Sequence, residues 1–103
     1  MKEHYETLEQ LLEELPIRFS ERNADIAIGI ADKYSIVLKI AIQKYGSQNF
    51  GLWESELIDI KNKLRDSVYK KPNKIMKFND AMSNLKDNIT DLASHIKFNE
   101  KLY

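Results

Sequence analysis

Two groups of residues in this chain have types and spacings that suit chemistry. The first is Asp87, Asp91 and His95, at i, i+4 and i+8. On a helix these share one edge, so two carboxylates and an imidazole line up as donors for a divalent metal or for acid–base work. Spread over two turns of an exposed edge they make a poor pocket, and no HExxH or ExxH companion occurs elsewhere. We therefore expect solvated side chains, no metal and no cofactor. The second group is the stretch YKKPNKIMKF, residues 69–78, with lysines at 70, 71, 74 and 77 around Pro72.

Lys70 and Lys71 fall where a third helix should close, and positive charge suits a helix C-terminus. Lys74 and Lys77 fall in the first turns of the next helix, whose end is itself positive. There each is unfavourable by a few tenths of a kcal/mol. Together with Arg65 and Tyr69 they form a candidate partner- or anion-binding corner of Arg65, Tyr69, Lys70, Lys71, Lys74 and Lys77. The bland alternative starts the helix later, at Asn79 and Asp80, and leaves the lysines in a solvated turn. If the corner binds, its targets are an acidic protein surface, a phosphate backbone or anionic lipid headgroups.

Other chemistry is hard to assemble. The chain has no cysteine, so thiolate catalysis, disulfides and Cys-type zinc sites are excluded. No GxSxG, GxGxxG or phosphate-cradling glycine loop is present. The remaining carboxylates fall on hydrophilic helix faces, where ordinary pKa values are expected. The chain reads as non-enzymatic.

Formal net charge is zero across 103 residues, but the charges are segregated. Residues 1–16 carry a net −4 and residues 61–77 a net +6. The most apolar window, 24–42, contains Asp25, Asp32, Lys33 and Lys39, too many charges for a membrane span. The acidic N-terminus has no signal-peptide core, and a cytoplasmic location is expected. Abundant lysine, isoleucine and asparagine hint at a low-GC bacterium, its phages or its plasmids.

Apolar periodicity supplies the elements that would position these groups. Tyr5, Leu8, Leu12 and Leu15 form a 3-4-3 stripe, and Pro16 places a break at its end. Ser20 is a natural N-cap for a second helix that ends at Gly46. Its face comprises Ala27, Ile30, Ala31, Tyr34, Val37, Leu38 and Ala41, widened by further isoleucines. Period-two alternation in DIAIGIAD, residues 25–32, also fits a strand, but no second segment alternates to pair with it. Gly29 then reads as a point of close helix approach.

Ser47 or Asn49 should cap a third helix whose stripe is Trp53, Leu57, Ile60, Leu64 and Val68. The fourth has 3-4-3-4-3-4 spacing through Ile75, Phe78, Met82, Leu85, Ile89, Leu92 and Ile96. Tyr5, Tyr34 and Tyr45 are expected to keep their hydroxyls at the surface.

The fold class is thus all-α: an antiparallel four-helix bundle with helices at roughly 2–15, 20–45, 50–71 and 73–98, as one domain over 1–103. The short first helix leaves either an uneven bundle or a groove for a partner, and the heptad seam of the fourth also suits a homodimer. In size and helical layout the chain is similar to the small cytoplasmic immunity proteins that protect bacteria against their own bacteriocins. Antitoxins and phage-encoded inhibitors share that form. The likeness is one of shape, and it implies binding and neutralising another protein. The expected function is a non-enzymatic bundle with a macromolecular, protein partner. The alternative is a nucleic-acid-binding accessory factor using the basic turn.

Overall fold

The computed structural model describes residues 1–46, 50–69 and 72–102. Four helices succeed one another: α1 (Lys2–Glu14), α2 (Glu21–Tyr45), α3 (Gly51–Val68) and α4 (Lys74–Glu100). Cross-helix contacts give their directions. Asp32 on α2 meets Lys61 on α3 at 3.1 Å, and Asp66 on α3 meets Lys77 on α4 at 3.0 Å. Tyr5 on α1 lies beside Lys97 on α4, and Leu12 beside Met82, so α1 also runs against α4. The result is an antiparallel up-down-up-down bundle in which α2 and α4 run parallel across the diagonal. At ~1.5 Å per residue, α4 nearly spans the 43 Å long axis and serves as the spine.

Local signals explain the helix ends. The Ser20 side chain accepts from the Asn23 backbone N–H at 2.9 Å, and its own backbone is extended. That N-cap leaves one fewer orphan amide at the start of α2. Gly46 closes α2 at φ 95°, where a Cβ would be strained, and its N–H bonds the Ile42 carbonyl. The expected caps at Ser47 and Asn49 lie outside the described residues. Phe50 occupies the N-cap position of α3 without a side-chain cap bond.

The core is the set of predicted stripes, with informative departures. Leu8, Ile30, Leu38, Ile60, Leu64, Leu85, Ile89, Leu92 and Ile96 are buried together. Phe50, outside every stripe, is buried as well, while Trp53 is only half-buried. Leu15 and Phe19 pack against the core, and the Phe19 ring meets Phe78 edge-on at 5.5 Å. The chain's own 15–20 connection thereby covers the space beyond the end of the short α1.

Two expectations fail for packing reasons. Gly29 is exposed, and a Cβ there would meet nothing within 4 Å, so no helix approaches it. Tyr34 and Tyr45 bury their hydroxyls; among the described residues that of Tyr34 has no hydrogen-bond partner, while that of Tyr45 lies near the Glu100 carboxylate. Alanines at 27, 31 and 41 line the same buried face of α2 as Tyr34. Such short side chains let neighbouring helices close in, enclosing the ring completely.

Candidate functional site

At the α3–α4 turn, α3 ends at Val68, earlier than residue 71, and Tyr69 takes the C-cap with its N–H on the Arg65 carbonyl at 3.0 Å. Lys70 and Lys71 lie outside the described residues. Pro72 cannot extend a helix, and Asn73 turns the chain in the left-handed region at φ 61°, ψ 31°. In that conformation Asn73 makes no side-chain cap bond, because the capping geometry needs an extended backbone. Helix α4 begins at Lys74, so Lys74 and Lys77 do sit in its first turn and no acid accompanies them there.

Both of these lysines are nevertheless engaged within the chain. Lys74 Nζ lies 5.6 Å from the centre of the Phe19 ring, a cation–π contact. Lys77 Nζ donates to Asp66 Oδ2 at 3.0 Å, bridging α4 to α3. An unfavourable dipole position is offset by a local partner in each case. Arg65 is exposed and has no acidic partner among the described residues.

The turn also exposes apolar surface. Tyr69 is 74% exposed, Ile75 54% and Met76 56%. Ile75, expected as the first core rung of α4, is excluded because the core begins at Phe78, where Phe19 covers the helix. Ile75 and Met76 instead border a shallow, open depression with Asn73, Lys74, Asn79 and Asp80.

The Asp87–Asp91–His95 edge does not stay together. His95 turns into an aromatic cluster, with ring centres 5.3 Å from Tyr45, 5.0 Å from Phe50 and 6.5 Å from Trp53. Asp87 and Asp91 remain on a groove between α3 and α4. Among the described residues no group of three or more His, Cys, Asp or Glu is placed to hold a metal ion.

Beside the aromatic cluster, Lys44 Nζ bonds Glu100 Oε1 at 2.7 Å, joining the ends of α2 and α4. That bond holds the Glu100 carboxyl below its ordinary pKa and raises Lys44. Burial pushes the nearby Tyr45 hydroxyl up, with the Glu100 charge adding to it.

Among the described residues no helix is long and apolar enough to cross a membrane. No protein-family model, curated protein or solved structure matches the chain.

Proposed function

We propose that this is a non-enzymatic binding protein that docks on an acidic protein surface through the α3–α4 turn, acting as an inhibitor, immunity protein or antitoxin-like factor. The observation that carries this reading is the exposure of Tyr69, Ile75 and Met76 within eight residues of chain, beside Arg65, which has no acidic partner among the described residues. Exposed apolar side chains gain about 25 cal/mol per Å2 when a partner covers them. Tyrosine, methionine and arginine are also the residue types enriched at protein interfaces. The surrounding charge favours an acidic partner and orients its approach.

A phosphate backbone is the second candidate, since residues 61–77 are strongly basic. It is the weaker one, because Lys61, Lys63 and Lys77 are paired with carboxylates and Lys74 lies on a ring. Nonspecific phosphate binding draws on cations free to displace counterions.

The test uses a photo-crosslinking residue at position 76 in the native host, with mass spectrometry of the adducts. One acidic protein should dominate them. Its affinity for purified protein should fall about tenfold or more in Tyr69→Ala and in Met76→Asp, with helicity unchanged. Equal affinity of the variants, crosslinks to nucleic acid alone, or turnover of a substrate by the purified protein would each overturn the proposal.

A further inference from the structure

The outward side of α2 carries Asp25, Gly29, Asp32, Lys33, Ile36 and Ile40, at spacings of 4-3-1-3-4. On a helix these positions stand in one stripe, opposite the inward-facing Ala27, Ala31, Tyr34 and Leu38. All but the half-buried Ile40 are exposed, Ile36 to 61%. No other helix of the chain covers the stripe at its centre, since a Cβ on Gly29 would meet nothing within 4 Å.

The fold of one chain leaves this stripe with two unused features. Glycine weakens a helix interior relative to alanine, yet nothing in the chain occupies the room that Gly29 leaves. Ile36 stands in solvent, although covering it would be favourable. The charges are also ordered along the helix, with Asp25 and Asp32 first and Lys33 and Lys39 after them. Asp25, Lys33 and Lys39 have no ion-pair partner among the described residues. Asp32 gives Oδ1 to Lys61, but its side chain remains 61% exposed.

We infer that a second copy of the chain covers this stripe, in an antiparallel homodimer whose two-fold axis passes between residues 32 and 33 of α2. That register sets Asp32 opposite the partner's Lys33, and Lys33 opposite the partner's Asp32. Gly29 falls opposite the partner's Ile36, so each isoleucine enters the gap over a glycine. Asp25 comes within a turn of the partner's Lys39. A parallel pairing would set like charges together and leave the two gaps facing each other. The heptad seam of α4 is not available for self-association, because Phe78, Met82, Leu85, Ile89, Leu92 and Ile96 are buried in the chain's own core. An isologous contact makes every interaction twice. One pair of helices lies at the small end of interface sizes, below about 1,200 Å2, so association depends on concentration. The inference is independent of the proposed role of the α3–α4 turn.

Sedimentation velocity of the full-length protein over a concentration series tests the dimer, with helicity followed by circular dichroism. The wild type should pass reversibly from one chain to two as concentration rises. Ile36→Asp should raise the dissociation constant about tenfold or more. Gly29→Leu fills the gap and should do the same, although replacing glycine favours the helix of the single chain. Asp32→Lys and Lys33→Asp each place like charges across the axis and should each weaken association about tenfold. An equimolar mixture of these two variants should restore it, because the lysines of one then meet the aspartates of the other. Met76→Asp, at the α3–α4 turn, should dimerise like the wild type. A wild type that stays monomeric up to millimolar concentration would leave the face to a different occupant and overturn the inference. Failure of the mixture to associate, or unchanged dimerisation of a helical Ile36→Asp, would overturn it too.

Discussion

The basic α3–α4 turn and the acidic α3–α4 groove belong to the same pair of helices and differ in one respect. At the turn, charge density is conspicuous in the sequence, yet Lys74 rests on Phe19 and Lys77 on Asp66. In the groove lined by Glu56, Asp87 and Asp91, no run of like charge marks the sequence, yet these carboxylates have no ion-pair partner among the described residues. Charge that the fold already satisfies has little left to offer a ligand. The turn leaves apolar surface exposed, and the groove leaves carboxylates without ion-pair partners among the described residues.

Substitutions sharpen that contrast, beginning with the largest effect. Phe78→Ala removes a fully buried ring that meets Phe19, the platform under Lys74. It should cost about 3–5 kcal/mol in denaturant unfolding, and the turn should loosen with the core. A loss under about 1 kcal/mol would mean that the turn is not anchored there.

Tyr34→Phe should behave in the opposite sense, because it deletes an orphan hydroxyl while keeping the ring. Stability should hold or rise by about 1 kcal/mol. A loss of similar size would show that the hydroxyl has a partner, such as an ordered water, and would weaken the contrast.

Gly29→Ala is a reference for both regions, being exposed, helical and unobstructed. It should gain roughly 0.5–1 kcal/mol, the ordinary difference between these residues within a helix. A destabilisation would reveal a close contact at that face.

Carboxylates in the two regions should respond with opposite signs. Asp66→Asn breaks the pair with Lys77 and should cost about 0.2–1 kcal/mol. Asp91→Asn relieves repulsion from Asp87 one turn away and should gain about 0.2–0.5 kcal/mol. Equal signs in thermal or denaturant unfolding at low salt would erase the distinction between satisfied and unsatisfied charge.

The smallest effect belongs to the Lys44–Glu100 clasp. Its carboxyl has a lowered folded-state pKa, so its contribution is present above the ordinary carboxylate pKa and is lost as pH falls through the folded value. Lys44, raised, contributes below its ordinary pKa and loses that as pH rises through the folded value. A fall in amide-exchange protection, relative to intrinsic rates, in the last turn of α4 at acidic pH, absent in Glu100→Gln, is the expected readout.

Much of this molecule is legible along the chain. The stripes of α1 to α4, the Ser20 cap, the Gly46 stop and the Pro72 break come from residue spacing and backbone preference, which are local. The antiparallel bundle is legible too, since short connections leave amphipathic helices few other ways to bury their faces. Tertiary structure decided which charges are satisfied and which side chains are enclosed. Asp66 and Phe19 answer the lysines of the turn from other elements of the chain. His95 leaves Asp87 and Asp91 for an aromatic cluster built by Tyr45, Phe50 and Trp53. Tyr34 is fully enclosed only because neighbouring helices close over α2. Periodicity assigns a residue to a face of its own helix, whereas hydrogen bonds and ion pairs depend on what the neighbouring helices bring to that face.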